Sequence, residues 1–388
     1  MTNTKILHLT TYLQGGAGKV VLDLAKRSNA KKMAVSVGFT KKSVKGYCNY
    51  PKHLDALKKA EINQIELPTT FDRYPSKIIG TAKLLLERFQ ENPPDFIHCH
   101  AANASRIALE FRRLTNLEIP IIQTMHGWGI YKTPEQEKED IKTLNKLDHV
   151  VSISETSDSL LKIKGLKNIN SSVIYNGIED FSPQEGKITD NNLLEITKLQ
   201  KQGFFIAGIV GTLDERKNQR LVLETIKTLP KDLKIKFFFI GEGEIEEMLK
   251  LANSYNIETQ VTFLGYKKNS RAFIDQFDLL ICSSKSEGGP PIVLMEAFSS
   301  NTLVLASLTR EHEEAIMEGM TGFLFESDDI SDLNSKITKI YQMENSDKTT
   351  STAYKFYKDN FSFEKSFAEY EKIYEKLTNP NIVRSCVS

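Results

Sequence analysis

"LLICSSKSEGGPPIVLMEAFSSNTLVLAS", Leu279 to Ser307, contains the fold in miniature. An apolar run ends in small polar residues, two glycines and two prolines turn the chain, and a helix is expected from about Ile292. A second apolar run, "TLVLAS", follows it. Continuous Leu/Ile/Val runs with a helical stretch between them predict a strand–helix–strand unit in a parallel sheet covered on both faces. The loop sets Glu287 before the helix and Glu296 in its first turns, so two carboxylates bracket a helix start. Glu296 there is placed to accept hydrogen bonds from a diol such as a ribose, with a diphosphate at the positive end of the helix dipole. Read alone, a Glu on a helix is more often a solvated or capping residue.

The same alternation extends in both directions. "KILHLT", "MAVSVGF", "FIHCHA", "PIIQTMH", "HVVSIS" and "SSVIYNG" supply strands in the first half, and "FFIAGIVG", "IKFFFIGEG", "VTFLGY", "FDLLICSS" and "TLVLASL" supply them in the second. At 388 residues the chain exceeds what one core supports. The polar stretch "GIEDFSPQEGKITDNNLLEITKLQKQG" marks the expected boundary. The reading is α/β, with a first doubly wound domain over 1–178, a linker over 179–202, a second domain over 203–355 and a helical C-terminal segment over 356–388. In that segment Phe363, Phe367, Tyr370, Tyr374 and Leu377 form one helical stripe, which calls for a surface to cover. Ligands of doubly wound sheets bind beyond the carboxyl ends of strands, so two such domains are expected to face one another across a cleft.

Composition narrows the class. Hydrophobic residues make up 40% and charged residues 26%, and the formal net charge of +1 argues against broad nucleic-acid binding. Cys48, Cys99, Cys282 and Cys386 are far apart and form no C-x-x-C pair, which points to neither a zinc site nor a disulfide framework and fits a reduced cytoplasmic setting. No apolar run approaches the ~18 residues that a bilayer requires, so any membrane association is expected to be peripheral.

In "QGGAGKVVLDLAKR", Gln14 to Arg27, Gly18-Lys19 looks like the end of a nucleotide-binding P-loop. The spacing argues against it: Leu13 stands where the first glycine is required, and Val20 replaces the hydroxyl that would hold magnesium. What remains is a strand, a glycine turn and a helix whose amino end faces an anion, a sugar or nothing. "DERKN" around Lys217 reads alone as a charged turn, and His126 after "PIIQTM" as a structural histidine. Trp128 and Tyr131 offer a saccharide stacking face or core packing. His98 and His100 alternate on a strand with no third metal ligand in sequence, so no metal is expected. "GEGEIEE" has two glycines of a dinucleotide fingerprint, but Glu246 holds the third position.

Taken together, "SEGGPPIVLMEA", "TLVLAS", "TGFLFESDD", "IVGTLDERKNQRLVLETI", "FFFIGEGEIEEMLKLA", "VTFLGY", "VIYNGI", "TMHGWG" and "GGAGKVVLDLAKR" resemble, in order and over nearly the whole chain, the retaining GT-B glycosyltransferases of family 4. The resemblance implies two Rossmann-like domains and transfer of a sugar from a nucleotide-diphosphate sugar to a saccharide or lipid-linked hydroxyl. It also implies that anomeric configuration is retained and that no metal is needed. A cytoplasmic role in bacterial surface-polysaccharide synthesis follows by analogy, with peripheral contact at the inner membrane.

By the same resemblance His126, Lys217 and Glu287 are catalytic: His126 faces the donor sugar, Lys217 the diphosphate and Glu287 the transferred sugar. Glu296 holds the ribose. Gly16, Arg216, Gly241, Gly243, Tyr266, Gly288, Gly289 and Ile292 line the donor, and Gly15, Gly16, His100 and Trp128 the acceptor. Two departures stand out. Eight residues, Gly288 to Met295, separate the glutamates instead of seven, and Thr212 replaces an arginine, with Arg216 beside Lys217 as a substitute whose side chain is expected to point away from it. These departures keep a catalytically silent nucleotide-sugar-binding subunit in view, and a nucleotide-sugar 2-epimerase shares the architecture. If the glycine loop faces the reacting groups, Gly16→Val cuts transfer by about a hundredfold through misplacement. Circular dichroism should show an unchanged fold; full activity in the folded variant would defeat the assignment.

Overall fold

The computed structural model describes residues 4–129, 132–168, 170–180 and 190–378. The chain divides into two compact units, Met1–Gly177 with Ser366–Ser388, and Ile178–Lys365. In the first, strands β1 (Lys5–Leu9), β2 (Ala34–Thr40), β3 (Asn63–Leu67), β4 (Phe96–Cys99), β5 (Ile121–Met125), β6 (His149–Ser152) and β7 (Ser171–Val173) form a sheet in the order β3-β2-β1-β4-β5-β6-β7. Every pairing is parallel. Helices α1 (Gly15–Ala30), α2 (Pro51–Lys59), α3 (Pro75–Arg88), α4 (Ala102–Thr115), α5 (Pro134–Leu144) and α6 (Glu155–Ile163) make the crossovers.

The second unit repeats the scheme. Strands β8 (Phe205–Val210), β9 (Ile235–Ile240), β10 (Val261–Gly265), β11 (Leu279–Cys282), β12 (Leu303–Ser307) and β13 (Phe323–Phe325) run in the order β10-β9-β8-β11-β12-β13. Around them lie α7 (Asn191–Lys201), α8 (Gln219–Thr228), α9 (Ile245–Ser254), α10 (Ser270–Ile274), α11 (Ile292–Ser299), α12 (Arg310–Glu313), α13 (Ile330–Tyr341) and α14 (Asp347–Asn360). The last helix, α15 (Phe363–Thr378), crosses into the first unit at Ser366.

The central strands are buried at every position, as apolar runs covered on both faces must be: β4, β5, β11 and β12 expose nothing. Phe237, Phe239, Ile281 and Leu305 pack with Leu221, Val222, Leu333 and Ile337 in one core, and Leu7, Ile97 and Ile121 with Ile107 and Phe111 in the other. Burial of each such side chain contributes on the order of 1.5–3 kcal/mol.

All eleven apolar runs of the sequence are strands. Two further strands, β3 and β13, lie at sheet edges and form no sustained apolar run in the sequence. In "NQIEL" only Ile65 and Leu67 are buried, and β13 is three residues long. The stretch 179–202 also differs from a plain linker. Residues 181–189 lie outside the described set, but Asp190 caps α7, whose Leu193 and Ile196 are buried within a polar sequence. Before it, Ile178 and Asp180 are fixed to α14: Tyr357 donates to the Ile178 carbonyl at 2.9 Å, and Lys358 and Tyr354 bind Asp180 at 2.9 and 3.0 Å. The second unit therefore extends past 355 to Lys365.

The aromatic stripe of α15 is buried at Phe363, Phe367, Tyr370 and Tyr374. Tyr370 Oη lies 3.0 Å from Thr124 Oγ1 on β5, and Tyr374 Oη 2.8 Å from His98 Nδ1 on β4. Among the described residues no helix is long and apolar enough to cross a membrane. Tyr374→Phe removes the hydroxyl from a buried imidazole nitrogen and should lower stability by about 1–3 kcal/mol, measured by urea unfolding. An unchanged midpoint would mean that the bond does not hold α15 in place.

Candidate active site

Strand order reverses between β1 and β4 in the first sheet and between β8 and β11 in the second, and ligands of such sheets bind beyond the carboxyl ends of the strands at that point. In the second unit those ends carry the turn after β8 and the Ser283–Pro291 loop. Lys217 Nζ lies 2.5 Å from Glu287 Oε1, and Arg216 Nη1 lies 2.8 Å from Glu287 Oε2. The neighbours therefore reach one carboxylate instead of pointing apart. They sit in a turn rather than a strand: Asp214 Oδ1 accepts from the Lys217 amide at 2.8 Å, and Asn218 is left-handed at φ 54°. The backbone of this turn is tied to the facing loop, with Lys285 N donating to Arg216 O at 2.9 Å and Ser283 Oγ to Lys217 O at 2.8 Å.

The Glu287 side chain is only 10% exposed. Burial raises its carboxyl pKa, but Lys217, Ser284 and Arg216 outweigh this and hold it below the ordinary range, so it is an anion at neutral pH. The extra residue before Glu296 thus leaves Glu287 on the two cations. Helix α11 starts at Ile292 after Pro291, with no side-chain cap, and carries the half-buried Glu296. Lys217, Ser283, Ser284, Pro291 and Val293 line one recess, which brings the Lys217 side chain to the amino end of α11. Cys282, at the end of β11, is buried and its thiol is pushed up to about 12, which makes it inert.

Gly241 and Gly243 have a packing reason. A Cβ on Gly241 would come 1.8 Å from Gly211 O, and one on Gly243 2.2 Å from Leu213 O. The loop after β9 is thereby pressed against the loop after β8, and Leu213 N donates to Glu242 O at 2.7 Å. Tyr266 follows β10 and is 49% exposed; Gly288 is half-buried and Gly289 buried in the loop before α11. His312, which carried no signal in the sequence, also belongs here. Burial holds its pKa down against the pull of the nearby Glu287, and its Nδ1–H donates to Ser307 O at 2.7 Å, since a carbonyl oxygen can only accept.

In the first unit Gly15 and Gly16 are the exposed first residues of α1, whose N-cap Gln14 makes no side-chain cap. Lys19 lies within the helix and pairs with Asp23 at 2.5 Å, so it does not reach over the loop as a P-loop lysine does. At the ends of β1, β4 and β5 four histidines meet. His8 Nδ1 is 3.1 Å from His100 Nε2, and His100 Nδ1 is 3.0 Å from His126 Nε2. His98 is held by Tyr374 and by Thr124 Oγ1 at 2.8 Å. Burial lowers the pKa of His8 to about 3 and of His126 to about 4, and those of His98 and His100 well below the ordinary value. The group is neutral.

A line of three neutral imidazoles donates in one direction, so one end presents an N–H and the other a lone pair. Those ends are His8 Nε2 and His126 Nδ1, neither of which has a partner among the described residues. His126 can therefore give or take one hydrogen bond but brings no charge. His8 also supplies the third histidine that the sequence did not disclose, with ligand atoms of His8, His98 and His100 within 4.8 Å of one another. Both nitrogens of His98 are engaged by hydroxyls and both of His100 by His8 and His126, so within this trio only His8 Nε2 is left without a partner among the described residues.

Trp128 is partly buried against the core, donates from Nε1 to Glu137 Oε1 at 2.6 Å, and carries the Lys132 ammonium 3.8 Å from its ring centre. It lines a cavity of about 700 Å³ together with His100 and His126. Tyr131 lies outside the described residues. The cavity also gathers Arg73, Lys132 and Asp140, which no spacing in the sequence connects.

Comparison with known proteins fits this arrangement. Residues 14–180 match the family model described as Glycosyltransferase Family 4, and residues 194–356 the model described as Glycosyl transferases group 1. An uncharacterized glycosyltransferase of Methanocaldococcus jannaschii is 28% identical over 285 residues, covering 69% of this chain and 71% of the relative. The O-antigen biosynthesis glycosyltransferase WclY of Escherichia coli is 25% identical over 294 residues, covering 73% and 79%. The crystal structure of Anabaena Alr3699/HepE in complex with UDP-glucose superposes with a TM-score of 0.79 at 18% identity, covering 96% of this chain and 100% of that one. The fold is GT-B. The chain belongs to the family 4, group 1 glycosyltransferases and is a sugar-transferring enzyme.

All seven histidines are held below their ordinary pKa, chiefly by burial. Unfolding frees them to bind protons near pH 6.5, so the stability that neutral burial contributes is intact above that value and falls as the pH drops toward the folded values of about 3 to 4. Urea unfolding between pH 7 and 5, above the range where carboxylates titrate, should show steadily falling stability with net uptake of more than one proton. A flat profile there would contradict the burial of these rings.

Proposed function

We propose that the chain transfers a sugar from a nucleotide-diphosphate sugar to a hydroxyl of a saccharide or lipid-linked acceptor, with retention of configuration and without a resident metal. The observation that carries this is the meeting of Arg216 and Lys217 on Glu287 beside the uncapped amino end of α11. Two cations against one carboxylate leave a surplus positive charge, and a helix amino end adds to it. A diphosphate that gains negative charge as its sugar departs is stabilised by such fixed donors more in the transition state than before it. Glu296 on α11 suits the ribose hydroxyls and the Glu287 carboxylate the hydroxyls of the transferred sugar.

In this reaction the bond from the anomeric carbon to the diphosphate oxygen breaks, and the acceptor oxygen bonds to that carbon on the same face. The acceptor's proton passes to the departing phosphate oxygen, so no protein nucleophile is used. The neutral His126 contributes one hydrogen bond to a sugar hydroxyl rather than a charge. WclY, with its O-antigen role, supports a place in the building of surface polysaccharide, and HepE, crystallised with UDP-glucose, supports a nucleotide-sugar donor.

Lys217→Gln removes one donor to the leaving group and should lower kcat by about a hundredfold or more. Release of nucleoside diphosphate from a panel of labelled nucleotide sugars, with circular dichroism as the control for folding, checks it. A folded variant with unchanged turnover would remove Lys217 from the mechanism.

A further inference from the structure

The first-unit cavity of about 700 Å³ lies past the ends of β4 and β5, among Ala101 to Asn103 and Met125 to Gly129. Its floor is built around Asp140, whose side chain is fully buried. Asp140 Oδ1 accepts from Arg73 Nη1 at 2.9 Å and Arg106 Nη2 at 2.8 Å; Oδ2 accepts from Arg73 Nη2 at 3.0 Å and meets Lys132 Nζ at 3.0 Å. Three cations thus share one carboxylate that has no lone pair left to offer. Glu139 reaches Arg106 at 3.2 Å but is 63% exposed and screened by solvent. Asp72, also on the wall, forms no ion pair among the described residues. Burial and the Arg73 charge hold Lys132 below the ordinary ammonium range despite Asp140, and burial does the same to Arg106.

These cations have donors to spare. A lysine has three N–H groups and an arginine five, and Asp140 takes one from Lys132 and two from Arg73. Independently, the 14-residue helix α4 begins at this wall with Ala101 as its N-cap, a residue that cannot satisfy the first amides. Cationic floor and helix amino end both call for an anion rich in acceptor oxygens. The rim is of another kind: Tyr47, Phe71 and Tyr74 are 50%, 37% and 70% exposed, and the first two ring centres lie 5.1 Å apart, tilted by 44°.

We propose that this cavity binds the phosphate of a glycosyl phosphate acceptor, with Arg73 and Lys132 donating from the floor, the amino end of α4 opposite, and the rim rings against the sugar. The inference rests on the transferase reading and names its acceptor class: a sugar linked to phosphate or diphosphate, whether anchored to a lipid or carried on a soluble polymer.

Trp128 is the protein's one tryptophan and lines the cavity, so its fluorescence reports binding directly. With the full chain, N-acetylglucosamine 1-phosphate should quench it, and N-acetylglucosamine should bind about ten- to hundredfold more weakly for want of the charged hydrogen bonds. Lys132→Gln should weaken the phosphate probe to the same extent, while Lys132→Arg, which keeps charge and fold, stays within about threefold. Lys217→Gln, on the donor side, should leave this binding unchanged. Equal affinity for the neutral sugar, or indifference to Lys132→Gln in a folded protein, overturns the proposal.

Competition against the probe then distinguishes the source. A lipid-anchored glycosyl diphosphate in micelles and a soluble polymer of sugar phosphates should compete singly or together, and competition by neither overturns the site. Phosphate binding through Lys132 without turnover of any nucleotide sugar would sink the transferase reading and leave the site standing. Transfer to neutral acceptors, equal in wild type and Lys132→Gln, would do the reverse.

Discussion

Parallel strands can pair only if the chain crosses back over the sheet between them, and that constraint governs both units. Each crossover returns the chain to the same edge, so every strand delivers its carboxyl end to one rim. Where the strand order reverses, at β1/β4 and at β8/β11, the crossovers diverge to opposite faces and leave the rim open. His8, His100 and His126 meet at one rim, and Lys217 meets Glu287 at the other, because of this topology and not because of any nearness in sequence.

Charge is handled alike in both places. A carboxylate that is nearly or wholly out of water is held as an anion by more than one cation: Glu287 by Arg216 and Lys217, Asp140 by Arg73, Arg106 and Lys132. Such a carboxylate organises the cations and keeps their side chains extended toward it, while the surplus charge remains for a ligand. The cost of ordering long cationic side chains is thereby met before a ligand arrives. Beside these charged floors, helices α4 and α11 start with Ala101 and Pro291, residues that offer no cap.

The histidines follow another rule. Burial keeps them neutral, and neutrality lets His8, His100 and His126 form a line whose middle ring, His100, both donates and accepts. A charged ring in that line would lie out of water with no carboxylate among its hydrogen-bond partners. Beside this line the aromatic stripe of α15 reaches Thr124 and His98 through Tyr370 and Tyr374, so the last helix is tied to β4 and β5 by hydroxyl contacts.

The sequence alone determined the alternating strands and helices, the two units, the burial of the α15 stripe and the start of α11 at Ile292, because these rest on local periodicity and turn residues. The edge strand "NQIEL" and helix α7 stayed hidden, since two buried positions in each do not make a period. Family resemblance brought Lys217, Glu287, Glu296 and His126 forward, but that Arg216 joins Lys217 on Glu287 depends on the turn geometry. Only the tertiary structure gathered Arg73, Arg106, Lys132 and Asp140 and set His8 beside His100, because ion pairs and hydrogen bonds between distant elements leave no repeat in the chain to read.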